Sequence, residues 1–158
     1  MSILNWLEDE FKQPVSFSFK VAFVGSLLPV PDTGFQSVTG ISSEMQTEEI
    51  REGGENRYVH QLPNGVKANR LVLKRGVASL VSPLVIWCKA VFESDLSIPI
   101  VPMPIMVYLL DEQKLPSRVW SFSGAWPIKW EVDEFNSTKN EVAIEEIELN
   151  YNYSKRVL

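Results

Sequence analysis

The clearest signal along the chain is strict alternation of apolar and polar positions. In FSFKVAFVG, residues 17–25, Phe17, Phe19, Val21 and Phe23 face one way, and Ser18, Lys20 and Ala22 the other. This is the period of a half-buried β-strand. A second strand is predicted over residues 35–47, with Val38 out of phase with Phe35 and Ile41. Gly40 beside it signals a bulge or a close backbone approach. NRLVLKRG, residues 69–76, is a third strand, ended by Gly76. IMVYLLD (105–111) and RVWSF (118–122) form an antiparallel pair across the turn DEQKLP. WPIKWEV (126–132) alternates with Trp126, Ile128, Trp130 and Val132 inward and Pro127, Lys129 and Glu131 outward, and FNSTKN is the next turn. In EVAIEEIELNYNY the apolar phase changes. Val142 and Ile144 are even, whereas Ile147, Leu149, Tyr151 and Tyr153 are odd. A β-bulge at Glu145–Glu146 would keep both halves facing one core.

One segment changes period. SPLVIWCKAVFES, residues 82–94, places Leu84, Trp87, Cys88 and Val91 on one helical face, behind Ser82 as N-cap and Pro83 as first helical residue. A second, short helix is predicted over residues 2–12, with Ile3, Leu4, Leu7 and Phe11 on one side. A helix that short needs a surface to pack on. Pro99, Pro102 and Pro104 exclude residues 98–104 from a central strand, so this run is an edge or a connection. The expected fold is mainly β: an antiparallel β-sandwich or barrel with one packed α-helix at about residues 83–93.

At 158 residues the chain fits a single domain, 1–158, large enough to hold a core without staples. A net charge of −5 argues against nucleic acid or an anionic membrane as a general partner. One cysteine, Cys88, excludes an intrachain disulfide and a multi-cysteine metal site, and is expected to be a buried apolar residue. The single histidine, His60, has no partner histidine for a metal site. MSILNWLEDEF lacks the basic start and apolar core of a secretory signal, so synthesis and folding in the cytoplasm are expected. The longest uncharged run, residues 96–110, is too short and too rich in proline to span a bilayer.

Candidate chemistry is sparse. No GxGxxG, P-loop, GxSxG, HExxH or CxxC occurs, and no catalytic, cofactor-binding or metal-binding residue is assigned. Gly53–Gly54 in EIREGGEN lacks the following lysine and helix start of a phosphate cradle. Trp87, Trp120, Trp126 and Trp130 occupy apolar phases, where core packing is the expected role. The outward face of the last strand is acidic and amide-rich, with Glu146, Glu148, Asn150 and Asn152, and not the aromatic and basic platform of a nucleic-acid binder. What stands out is a long polar excursion, residues 48–65. Such segments are functional or mobile. An assembly arm and an ordinary surface loop both fit, as does a monomeric β-sandwich that binds a small apolar ligand elsewhere.

Taken in order, FKVAFVG, FQSVTGI, REGGENRYVHQLP, LVLKRGV, LVIWCKAV and VWSFSGAWPIKWEVDEFNSTKNEVAIEEIEL resemble the tail tube protein family of contractile phage tails and phage-derived contractile injection systems. That family is similar in fold to the type VI secretion tube protein Hcp. The resemblance covers about Phe17 to Tyr151. It implies a structural protein without enzymatic activity or cofactor. Hexameric rings of it stack into a hollow tube, which sheath contraction drives through a target envelope. Implied partners are further copies of itself, a sheath protein, spike and baseplate proteins and a cargo in the lumen. No specific nucleic-acid binding and no membrane insertion of the monomer are implied. Residues 48–65 become the extended loop that reaches the adjacent ring. Its expected contact residues are Glu52, Gly53, Gly54, Glu55, Asn56, Arg57, Tyr58, Leu62 and Pro63. The apolar N-terminal arm, residues 1–14, is longer than a plain tube subunit needs, and points to a ring that initiates the tube at the spike and baseplate as the alternative role.

Overall fold

The computed structural model describes residues 17–25, 31–54, 56–76, 82–133, 138 and 143–158. The helix predicted at 2–12 and, apart from Thr138, the turn predicted at 135–140 lie outside them. In chain order the elements are β1 (Ser18–Phe23), β2 (Asp32–Thr39), β3 (Ser43–Ile50), β4 (His60–Ala68), β5 (Leu71–Gly76), α1 (Pro83–Glu93), β6 (Met103–Leu110), β7 (Pro116–Val132), β8 (Ile144–Asn150) and β9 (Tyr153–Arg156). Strands follow one another around the sheet as β6-β1-β2-β5-β8-β7-β9, and a further β6–β7 pairing closes it. Every pairing is antiparallel. The expected mainly-β fold therefore takes the form of a closed barrel.

Closure depends on β7, whose 17 residues are long enough to serve two neighbours. Its first half pairs with β6, from Leu110↔Pro116 to Met103↔Ala125. Its second half pairs with β8, from Trp126↔Asn150 to Val132↔Glu145. β9 continues β8 along β7, with Ser123↔Tyr153 and Trp120↔Arg156. Inside, Val21, Leu73, Val107, Phe122, Ile147 and Leu149 are almost wholly removed from water. Each such side chain contributes about 1.5–3 kcal/mol of transfer free energy. α1 covers one end as its periodicity demands. Leu84 and Cys88 are buried, and Trp87 meets Phe23 edge-on at a centroid distance of 5.2 Å. Ser82 caps the helix, its Oγ accepting from the Val85 amide at 3.3 Å.

The structure corrects three strand readings. The single strand predicted over 35–47 is two, with β2 ending at Thr39 and β3 starting at Ser43, in different sheets. β8 has no bulge at Glu145–Glu146, because its register with β5 runs unbroken from Leu71↔Leu149 to Gly76↔Ile144. Glu145 instead points inward in phase with Ile147 and Leu149, and is buried. The irregularity lies in the partner strand. Between Pro127↔Leu149 and Lys129↔Glu148, β7 carries one extra residue, Ile128. This phase shift puts Pro127 in the core, against the outward position expected for it. It leaves Trp126 and Ile128 half-buried, whereas Val132, opposite the inward Glu145, is 36% exposed at the strand end; the alternation predicts all three inward. Trp130, in phase again after the bulge, packs on the core as predicted.

The inward carboxylate is accounted for by a buried polar knot. Arg75, in phase with Leu71 and Leu73, also points inward. Its Nη1 donates to Asp32 Oδ1 at 2.8 Å, its Nε to Glu145 Oε2 at 3.2 Å and its Nη2 to Ser82 Oγ at 2.6 Å. The guanidinium lies 4.7 Å from the Phe35 ring centroid. Glu145 also accepts from Trp130 Nε1 at 2.8 Å, and Asp32 Oδ2 from the Leu84 amide at 3.0 Å. Ser82 Oγ donates to Asp32 Oδ1. Among the described residues no buried side-chain nitrogen or oxygen lacks a partner. The knot ties β2, β5, β7, β8 and the start of α1 together.

The close approach expected at Gly40 is present. With φ +87°, a Cβ there would lie 1.7 Å from the Arg70 carbonyl oxygen. Gly40→Ala is therefore expected to destabilise the domain by more than about 2 kcal/mol, combining left-handed backbone strain with a steric clash. Denaturant unfolding measures it. Glu145→Ala is expected to cost about 3–5 kcal/mol by leaving Arg75 buried with a lost partner. The same titration, with intrinsic tryptophan fluorescence as a second probe, checks it, and a near-neutral result would show the knot to be dispensable.

Candidate functional site

No reactive centre emerges from this fold. Among the described residues no three His, Cys, Asp or Glu side chains converge on one point. Cys88 is sealed in the core, and burial pushes its thiol up to about 12, far from a nucleophile's range. The knot of Asp32, Arg75 and Glu145 is closed off and spends its donors and acceptors on itself. A groove of about 230 Å³ lies between α1 and the proline run, lined by residues such as Trp87, Val91, Ile98, Val101 and Met103. It is almost wholly apolar and lacks the convergent polar groups that orient a small ligand.

What the barrel does present is a ribbon. The polar excursion is not a structureless loop: β3 and β4 pair as a two-stranded sheet from Ser43↔Ala68 to Ile50↔His60. The ribbon prolongs the barrel's own hairpin. Val38↔Leu73 and Thr39↔Val72 join β2 to β5, and Ser43↔Ala68 and Glu44↔Lys67 continue with the same offset. The junction is pinned where Tyr151 Oη donates to the Gly40 carbonyl at 2.9 Å. Beyond it, β3 is exposed along its entire length and β4 along nearly all of its. Among the described residues neither strand has a second neighbour, so both outer edges present backbone groups that no described strand pairs.

Apolar residues sit on both faces of this ribbon. Between Met45↔Val66 and Thr47↔Pro63, β4 carries one extra residue at Asn64–Gly65, with Gly65 at φ +109°. Near the base, Met45 and Val66 form a pair 55% and 63% exposed. Near the tip, Ile50 and Leu62 lie on the opposite face, 42% and 48% exposed. Monomeric proteins seldom leave such a surface open unless it meets a partner.

The predicted contact residues fall on the outer part of the ribbon. Glu52, Gly53 and Gly54 form the tip, and Glu55 lies outside the described residues. Asn56, Arg57 and Tyr58 lead back, and Leu62 and Pro63 stand on β4 opposite Glu48 and Thr47. The described ones are all exposed. Tyr58 packs edge-on against His60 at 4.9 Å, and His60 Nε2 lies 3.8 Å from Glu52. Sequence reasoning missed the base of the ribbon and the free edge of β9, the last strand of the open side of the sheet.

The outward face of β5, β7 and β8 carries a ladder of charges. Lys74 pairs with Glu146 at 2.9 Å, Lys129 with Glu131 at 2.6 Å and Glu146 at 3.3 Å, and Arg70 with Glu148 at 3.5 Å. The hydrogen bond from Lys74 holds the Glu146 carboxyl below its ordinary range, and those carboxylates raise both lysines. The acidic face expected from β8 alone is thus neutralised by its neighbours.

Comparison with known proteins gives the family and the fold. The family model for the T4-like virus tail tube protein gp19 matches residues 15–155. A chain in the cryo-EM structure of the anti-feeding prophage baseplate, 6-fold symmetrised, is similar at 30% identity and TM-score 0.75, over 92% of this chain and 96% of that one. A chain of the sheath-tube complex of an extracellular contractile injection system, PVC, in the extended state is similar at 22% identity and TM-score 0.72, over 99% and 98%. Hcp1 from Flavobacterium johnsoniae shares the fold at 10% identity and TM-score 0.55, over 89% and 94%. No curated protein matches the chain. With a family model matched from end to end of the barrel, and with open edges and a ribbon where an enzyme would have a cleft, the chain belongs to the T4-like virus tail tube family, as a structural tube subunit and not an enzyme.

Proposed function

We propose that this protein forms the rings of an inner tube. Six copies close a ring, rings stack head to tail into a hollow tube, and contraction of a surrounding sheath drives the tube through a target envelope. Made in the cytoplasm, it ends in an assembled phage tail or injection particle. Its partners there are its own copies, a sheath protein and the spike and baseplate proteins, and the lumen carries any cargo. The observation that supports this most is the ribbon: ordered by backbone pairing, exposed on both faces and devoid of catalytic groups. In this reading Glu52, Gly53, Gly54, Glu55, Asn56, Arg57, Tyr58, Leu62 and Pro63 reach the adjacent ring. Residues 48–65 are the inter-ring element and residues 1–14 an N-terminal arm. A ring that starts the tube at the baseplate is a second reading. The 30% identity to a chain of a baseplate structure, above the 22% to a chain of a sheath-tube complex, favours it.

Stacking is tested by replacing residues 51–59 with a two-residue turn. Ile50 and His60 are cross-strand partners, so the shortened hairpin keeps its ladder. The variant is expected to retain the wild-type circular dichroism and melting temperature, to form rings and to lose tubes under negative-stain microscopy. Wild-type protein that stays monomeric at high concentration, even with sheath and baseplate proteins present, would refute the tube function. A variant that unfolds would place the tip within the fold's own core.

A further inference from the structure

We propose that the free edge of β3 in one copy pairs with the free edge of β9 in the next, matched by charge. This rests on the tube reading above, and names the strands that join neighbouring subunits. Both edges lack a partner strand among the described residues. β3, SEMQTEEI, carries Glu44, Glu48 and Glu49 and no cation. β9, YSKR, carries Lys155 and Arg156 and no carboxylate. Adjacent residues of a strand point to opposite faces. Glu48–Glu49 therefore offers one carboxylate on each face of its edge, and Lys155–Arg156 one cation on each face of its own. Set side by side, the two edges form an opposite-charge pair above and below the sheet.

Among the described residues none of these four charges is matched by an opposite one. Glu48, Glu49, Lys155 and Arg156 make no ion pair among the described residues, whereas the ladder on β5, β7 and β8 is fully matched. Arg156 Nε donates only to the Leu158 carbonyl, at 3.1 Å. A charged edge usually blunts strand pairing. Here the charges also select the partner. Two β3 edges repel each other, as do two β9 edges, so a two-fold dimer through either edge is disfavoured. Unlike edges attract, which makes the contact heterologous, the kind that can join a copy in one ring to a copy in the next, head to tail. Exposed apolar residues flank both edges: Met45 and Ile50 beside the glutamates, Tyr153 and Val157 beside the cations.

Charge reversal tests this directly on the full chain. The variants Glu48→Lys/Glu49→Lys and Lys155→Glu/Arg156→Glu are each expected to leave rings intact and to lower the fraction of protein in stacked tubes about tenfold at low salt, and combining all four substitutions to restore it. All positions are exposed, so circular dichroism should be unchanged. As a second readout, mixing Glu49→Cys with Lys155→Cys protein should give a disulfide-linked dimer, since native Cys88 is buried. Reversed variants that assemble like wild type, or a folded fourfold variant that fails to recover, would overturn the β3–β9 pairing while leaving the tube function standing. Failure of wild-type protein to form any ring would remove both.

Discussion

Arg75 is the residue on which the architecture depends. A guanidinium inside a barrel of this size is tolerable only if its donors are met, and Asp32, Glu145 and Ser82 meet them from three different elements. Desolvating such groups costs several kcal/mol each, and their attraction offsets this only when the remaining hydrogen bonds are satisfied. Here they are, down to the Trp130 indole and the Leu84 amide. An apolar plug could have filled the same volume. The knot adds direction: it fixes where α1 begins and which phase β8 and β5 adopt. A barrel end closed in one defined way is what a repeating particle requires, because an error in one copy is multiplied along the assembly.

The sequence revealed most of the elements and misplaced a few phases, for a common reason. β1, β5, α1 and β6 follow from simple periods, because each packs one face on the core without interruption. The errors gather around the knot and in β7. The change of apolar phase at Glu145–Glu146 points to a bulge only if a carboxylate is not expected at an inward position. The signal that would have corrected this was present: Arg75 sits at the phase of Leu71 and Leu73, a cation inside the predicted core waiting for an inward anion. Pro127 was read outward since its neighbours alternate cleanly, but bulges are set by the partner strand's register, which no single segment encodes.

The ribbon was legible as an anomaly and not as a shape. Its polarity hid the strands, because neither face is buried within its own chain and alternation is written only where one face meets a core. Its composition makes sense for a sheet whose other side is supplied from outside. The same argument explains why candidate chemistry could be excluded more firmly than contact residues could be chosen. A catalytic constellation needs particular side chains at close range, whereas an edge recognises mainly backbone, with charge as a filter. In this molecule the described residues hold no such metal-ligating cluster, and the ribbon presents open backbone edges.

Cys88 carries a further consequence. Every copy brings one thiol, so a long assembly holds many of them. Each sits on the inward face of α1 with no exposed surface and a strongly disfavoured thiolate. Disulfide exchange and peroxide attack both proceed through that thiolate and need access to it. A particle that passes from a reducing cell interior to oxidising surroundings would therefore keep its chemistry unchanged, with neither scrambled links between subunits nor oxidised sulfur, for as long as the helix stays seated.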